Sequence, residues 1–490
     1  MSDKEKQVRN TGLYLVPVVL SNVLPLVTLP IFTRLLTKED YGIWALAQVY
    51  AIFMTGIANF GLTIGFERNF FEQKETAKAA GLLYSTLLFV ASVLLVFGLF
   101  TFLSRHQLAH LVVGSADYAN ILFWSYCAMA VMGLKNYYLI YFKNTENARA
   151  FIWYTIDETL IGLGFSLVLV AWLRVGVIGL VWGQLVASSL IMAILTFRFA
   201  RSLPVSFNGQ ALKESLRLSL PLTPRIFFGV IGSQFDKYML GLLNTVGGAG
   251  IYSIAQKIAN AVFTCMTAIQ NVYAPQVYQR MFSPKVEQGR TIGRYLTPFL
   301  YISAFIGLLI ALFAEEIIGF LTPKDYHGAV DIVTILSLLY VTYFFGKQPQ
   351  LIYAKKTILT SVLTVVSIGL NVMINIPFIY QWGAVGAAWG TLIAGLITGA
   401  VAFGLSQHYY RIYWEYGKIG LILLILFGSG ATVIVLRQLG VPYPVRAVAK
   451  LISLSGYCYL GMKLNILVWR NLLLVRNMIF PVAQRLDASR

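Results

Sequence analysis

The chain has 490 residues, 38 Lys and Arg against 20 Asp and Glu, and a formal net charge of +18. Only 12% of its residues are charged and 58% are hydrophobic, whereas a soluble domain carries about 25% charged residues. This composition excludes an ordinary soluble domain. A transmembrane β-barrel is excluded because it would read as roughly ten-residue alternating segments. A nucleic-acid surface is excluded because no basic run interleaves with aromatics.

From the N-terminus, MSDKEKQVRN leads into an apolar run of about 22 residues, longer than the roughly 7–15 of a signal peptide, and reads as a retained first span. About 20 apolar residues cross a bilayer core as a helix. On that measure fourteen spans are predicted near residues 12–33, 43–66, 81–103, 119–142, 152–173, 177–197, 218–243, 250–275, 295–314, 328–346, 358–380, 383–405, 417–436 and 446–468. The loops on the side of the N-terminus hold 25 Lys and Arg, and the opposite loops hold seven. The excess of Lys and Arg in cytoplasmic loops places both termini in the cytoplasm.

Ionisable groups inside spans are costly and face protein or water, so each is taken in chain order. The second span carries a polar row, Gln48, Thr55, Asn59 and Thr63, ending at Glu67-Arg68. Asp157 and Glu158 enter the fifth span. They either bind a coupling proton or cation or pair with Lys135 or Lys143. The seventh span, LSLPLTPRIFFGVIGSQFDKYMLGLL, sets Arg225, Gly229, Gly232 and Asp236 on one helical face. Its charges flank a groove, unless Arg225 snorkels to the headgroups; Pro221 and Pro224 loosen its start. In the eighth span Lys257, Asn260, Thr264, Thr267 and Asn271 form a stripe about 20 Å long at 1.5 Å per residue. Such a stripe either lines water or packs on polar partners. Thr364, Asn371 and Asn375 repeat the theme in the eleventh span, and Lys347 reads as a topology charge. Cys127, Cys265 and Cys458 lie far apart in apolar stretches and read as core residues, with no metal-ligand spacing. No GxxxxGK[ST] is present to cradle a nucleotide, so any movement through the protein would be driven by a gradient or by substrate imbalance.

The sequence repeats itself. GVIGLVWGQLVA (Gly176–Ala187) returns as GAVGAAWGTLIA (Gly383–Ala394), and GIWALAQ (Gly42–Gln48) returns as GIYSIAQ (Gly250–Gln256). Pro17 meets Pro224 at the same spacing. Matches at nearly one offset indicate duplication of a six-helix unit. Because six is even, both copies enter the membrane in the same direction and are related by an axis along its normal. The expected architecture is therefore an all-α polytopic membrane protein. An N-lobe (1–205) and a C-lobe (206–412) surround a central cavity, followed by two extra helices and a tail (413–490).

Three stretches carry a family resemblance: TRLLTKEDYGIWALAQ (Thr33–Gln48), SLPLTPRIFFGVIGSQFDKYMLGLL (Ser219–Leu243) and SIGLNVMINIPFIYQWGAVGAAWGTLIAG (Ser367–Gly395). Together they resemble the polysaccharide-transporter, or Wzx-type oligosaccharide flippase, family, of the same MOP superfamily as lipid II flippases and MATE exporters. The resemblance implies alternating access and movement of undecaprenyl-diphosphate-linked oligosaccharide to the outer leaflet of a bacterial inner membrane. It implies a cationic cavity, with Arg225, Lys237 and Lys257 as the positions carried over, and Arg68 at the end of the second-span row is added to them as a candidate. Gln48, Asn59, Asn260, Thr264, Thr267, Asn271, Asn371 and Asn375 would line it. Asp236, Asp157 and Glu158 are the candidates for coupling to a proton or sodium ion. Asp236 departs from a purely cationic wall and would pair with Lys237 or Lys257. The expected partners are the lipid-linked sugar, membrane lipids and polysaccharide-synthesis enzymes, with the chain itself a monomer and no organic cofactor or metal. A MATE-like cation or drug antiporter would favour acidic cavity groups, against the surplus of Lys and Arg. A membrane polysaccharide polymerase would need a sizeable outer loop, which the sequence lacks.

Overall fold

Without water, a chain crossing a bilayer must satisfy its backbone groups internally. Every regular element among the described residues of the computed structural model is helical. Those residues are 23–73, 75–282, 288–346 and 349–466; the expectations placed on Pro17, Lys347 and the two terminal segments lie outside them. Among the described residues, eight helical stretches are long and apolar enough to cross a membrane, and the protein is a multi-pass helical membrane protein. The chain divides into two compact units, Met1–Ser253 and Ile254–Arg490.

The first unit contains α1 (Val23–Leu35), α2 (Lys38–Ala58), α3 (Leu62–Phe70), α4 (Thr76–Leu103), α5 (Arg105–Val113) and α6 (Ala119–Asn144). It continues with α7 (Ala148–Leu167), α8 (Ile178–Ser202), α9 (Gly209–Ser219), α10 (Thr223–Leu243) and the first turns of α11 (Val246–Phe282). A capping box starts α2: Thr37 accepts from the Asp40 backbone while Asp40 accepts from that of Thr37. The helix stops at Ala58 because Phe60 and Gly61 take positive φ, 48° and 66°. Thr63, Glu67 and Arg68 consequently belong to α3, a separate helix, and do not continue the face of Gln48 and Asn59. A short 3-10 turn containing Pro221 precedes α10, consistent with the helix start that the prolines were expected to loosen.

The second unit holds the rest of α11, then α12 (Gln288–Leu312), α13 (Ala314–Leu321), α14 (Ala329–Thr342), α15 (Pro349–Tyr353), α16 (Thr357–Tyr409), α17 (Tyr416–Gln438) and α18 (Tyr443–Lys463). At 53 residues α16 is too long for one span, and it bends at Gly383, where φ is 56° and ψ is −132°. That backbone is open only to glycine, and the bend falls at the start of the second of the two spans expected at 358–380 and 383–405. The short helices α3, α5, α9, α13 and α15 were not anticipated, because none is long enough to give a span signal.

The doubled phrase has a structural explanation in each unit. Its first glycine, Gly176 or Gly383, takes positive φ at the entry to a helix. Its second, Gly179 or Gly386, would overlap Val170 or the Phe378 carbonyl if it carried a Cβ. At its third, Gly183 or Gly390, a Cβ would collide with Ser166 or Asn375 on the preceding helix. The phrase thus specifies a tight helix–turn–helix seam, and small residues let the backbones approach. In the other repeated phrase, Gly42 and Gly250 meet directly: a Cβ on Gly250 would lie 2.7 Å from the Gly42 amide nitrogen.

The two C-terminal helices are anchored firmly within the second unit. Lys450 of α18, 1% exposed, bonds Glu316 at 2.7 Å and Glu315 at 3.2 Å. Arg446 adds a 2.9 Å pair to Glu315, and Arg437 of α17 a 2.8 Å pair to Asp331. Tyr301 and Tyr457 stack at 4.6 Å, and each hydroxyl donates to the other's carbonyl, at 3.0 and 2.8 Å.

Candidate functional site

The polar side chains expected inside the spans fall into separate groups. In the first unit, α6, α7 and α8 converge on Glu158. Lys135, 4% exposed, forms an ion pair with it, and the Ser188 hydroxyl donates to its other oxygen at 2.8 Å. Of the two roles open to Glu158, pairing is the one observed. Lys143 instead pairs with Glu67 at 2.8 Å. Asp157, one position earlier and therefore about 100° around the helix, is half-buried and makes no ion pair or hydrogen bond among the described residues.

Gln48 of α2 donates to Gln184 of α8 at 3.1 Å, and Gln184 reaches the Met132 sulfur at 3.8 Å. Asn59 accepts from the Tyr137 hydroxyl. Both are bound inside the unit. Arg68 is exposed, pairs with Glu72 at 2.8 Å and donates to Asn69 at 2.7 Å. On α10, Asp236 is 6% exposed and accepts from the Tyr252 hydroxyl at 2.9 Å, while Lys237 donates to Gln234 at 3.1 Å. The Arg225 side chain lies outside the described part of the structure.

In the second unit the stripe on α11 is continuous. Lys257 is half-buried, Asn260 and Asn271 are exposed, and Thr264 and Thr267 are intermediate. Thr264 spends its hydroxyl on its own helix, donating to the Asn260 carbonyl at 3.0 Å. The Thr267 hydroxyl is buried without a partner. Across the seam of α16, Asn371 and Asn375 both donate to Thr391, at 3.2 and 3.3 Å, and Asn375 donates to Asn371 at 3.1 Å. A further cluster lies where α11, α15, α16 and the connector after it meet: a largely enclosed cavity of about 50 Å³ with aromatic walls.

Gln184, Ser188 and Thr391 were missed from sequence. The signal for two of them was present, since Gln184 and Thr391 occupy the same position of the doubled phrase, GQLVA against GTLIA. A difference inside an otherwise repeated phrase marks where the two copies hold different partners. Lys450, Glu315 and Glu316 were missed because no sequence spacing links residues so far apart.

Residues 7–279 match the family described as polysaccharide biosynthesis protein. A Haloferax volcanii protein with the provisional name low-salt glycan biosynthesis flippase Agl15 is 27% identical over 39% of this chain, which spans 41% of that relative's length. An Escherichia coli K12 protein with the provisional name O-antigen transporter is 21% identical over 79% of this chain and 94% of its own. Among solved structures, the lipid II flippase MurJ in an inward closed conformation matches with a TM-score of 0.70 at 14% identity, covering 92% of this chain and 99% of that one. A mutant of the Vibrio cholerae MATE transporter VcmN matches with a TM-score of 0.57 at 14% identity, covering 83% and 97%.

Proposed function

This chain belongs to the polysaccharide biosynthesis protein family, and from that premise we propose that it is a flippase for lipid-linked oligosaccharide. The head group it moves carries a diphosphate and many hydroxyls, and stripping their hydrogen bonds in bare hydrocarbon costs several kcal/mol for each group. The observation that carries the reading is the stripe on α11. Its exposed Asn260 and Asn271 amides offer hydrogen bonds along a mostly apolar helix. Lys257 on the same stripe would serve the phosphates, since charge-assisted bonds to phosphate are the stronger ones. The undecaprenyl carrier, fourteen spans, an inner-membrane location with cytoplasmic termini and a monomeric state complete the reading.

A gradient would supply the energy, and Asp157 is the residue of choice for coupling. It lies about 13 Å along α7 at 1.5 Å per residue, within an apolar span. An ionised carboxylate at that depth needs a proton, a cation or water. Its neighbour Glu158 already has Lys135.

The test is transbilayer movement of a lipid-linked oligosaccharide in proteoliposomes, with proton and sodium gradients imposed separately. Asn260→Leu with Asn271→Leu should slow movement at least tenfold, and Asp157→Asn should abolish its dependence on one of the gradients. Movement unaffected by the paired asparagine change would refute the assigned path. Export of a small organic cation in its place would point to a MATE-like antiporter.

A further inference from the structure

The cavity at the end of α11 contains polar groups that the fold leaves unused. Gln350 of α15 is 3% exposed and lines the cavity, yet its amide makes no hydrogen bond among the described residues. Gln270 of α11 lines it as well, and its amide is likewise unbonded. The indole N–H of Trp414, in the same wall, is buried without a partner. That indole is fixed in place, with ring centroids 5.4 Å from Phe345 and 6.1 Å from Phe403. A buried donor left unsatisfied costs about 1–3 kcal/mol, so the Trp414 indole N–H calls for an occupant, and the two glutamine amides in the same wall offer it further polar partners.

The size and lining of the cavity restrict what that occupant can be. One water needs about 10–15 Å³ of such volume, so the roughly 50 Å³ available admits about four heavy atoms, far fewer than a pyranose ring. No charged side chain lines it among the described residues, which disfavours phosphate. Two free amides disfavour a hydrocarbon tail. An acetamido group has four heavy atoms, one donor, one acceptor and a methyl.

We propose that this cavity is a subsite for the acetamido group of an N-acetylated sugar. The carbonyl of that group accepts from Gln350 or from the Trp414 indole, its N–H donates to a glutamine oxygen, and its methyl packs on the aromatic wall. The sugar ring stays outside the opening. The inference rests on the lipid-linked sugar reading above and makes it specific.

Saturation-transfer NMR on the purified full-length protein, with N-acetylglucosamine as probe and glucose and glucosamine as comparators, tests the subsite directly. The acetyl methyl should receive the strongest transfer. Trp414→Phe, which keeps an aromatic ring but deletes the donor, should weaken binding about five-fold, the factor for one neutral hydrogen bond. Gln350→Leu should weaken it similarly, and Gln350→Asn, which withdraws the amide by one methylene, guards against a folding defect in the leucine variant. Methyl transfer no stronger than that of glucose protons, or transfer unchanged in all three variants, overturns the proposal and leaves a cavity that holds water only. Transbilayer movement of lipid-linked sugars is scored separately. Equal movement with and without the N-acetyl group, and no methyl signal, sinks the subsite alone. A methyl signal without any such movement upholds the subsite and sinks the flippase reading.

Discussion

The two units contain the same seam with different polar groups in it. In the first, Gly176, Gly179 and Gly183 bring α8 against α7, and the polar group beside that contact is an ion pair, Lys135–Glu158, with Ser188 attached. In the second, Gly383, Gly386 and Gly390 fold α16 upon itself around neutral amides, Asn371 and Asn375 on Thr391. There the anchoring ion pairs of Lys450 and Arg446 converge on Glu315 and Glu316 of α13, outside that seam. The backbone geometry therefore tolerates either chemistry. Glycine sets how closely the helices approach, and the residues that differ between the copies decide whether the seam can respond to charge.

The largest effect expected from that contrast is on Lys135. Lys135→Met leaves the largely buried Glu158 carboxylate, 15% exposed, without its counter-charge and should cost up to about 3–5 kcal/mol, read as a fall in melting temperature of the purified protein. Replacing Lys135 and Glu158 together by Met should recover most of the loss. A single variant as stable as the double one would show that the pair is not coupled. Next come Gly183→Ala and Gly390→Ala, each placing a methyl against the facing helix, Ser166 or Asn375. Overpacking of this kind costs about 1–3 kcal/mol, and the two losses should match. A tolerated change in one unit alone would break the equivalence of the seams.

Asn371→Leu should cost less, about 0.6–1.7 kcal/mol, the range for hydrogen bonds between membrane helices. That loss should be the same at every pH, because no charge is involved. The smallest effect belongs to Glu316. Burial alone would raise its carboxyl, but hydrogen bonds from Lys450, its own backbone and Tyr443, with the Lys450 charge, reverse this and hold it below its ordinary 4.5. A carboxyl depressed by folding contributes stability above its unfolded value and loses it as pH falls through the folded value. The α13–α18 anchor should therefore persist at pH 5 and weaken only below about 4, the ordinary carboxyl range. Glu316→Gln should flatten that acid limb in a thermal scan, and an unchanged limb would assign the acid sensitivity to another group.

Much of this could be read in the sequence. Apolar runs specified helices because a bilayer leaves the backbone no other partner. The recurrence of three glycines at one offset marked the seam, and Lys135 stood among the expected partners of Glu158. The polar row on the second span was read as continuous across Asn59, but the positive φ at Phe60 and Gly61 ends α2 there. Its members Gln48 and Asn59 bond within their own unit, to Gln184 and Tyr137, so a polar face on one helix does not by itself reveal what it faces.

Local chemistry in this protein follows from short-range pattern: which segments are helical, where glycine permits a bend, and which positions are polar. Those depend on residues within a turn or two of each other, and the sequence alone determined them. What the tertiary structure decided is how each polar group is used. Glu158 is neutralised and Asp157 is not, Lys450 bonds two carboxylates more than 130 positions away, and Gln350 is left with an unspent amide in an aromatic cavity. The reason is that hydrogen bonds and ion pairs act over a few ångströms in space, and only the packed fold brings distant residues that close.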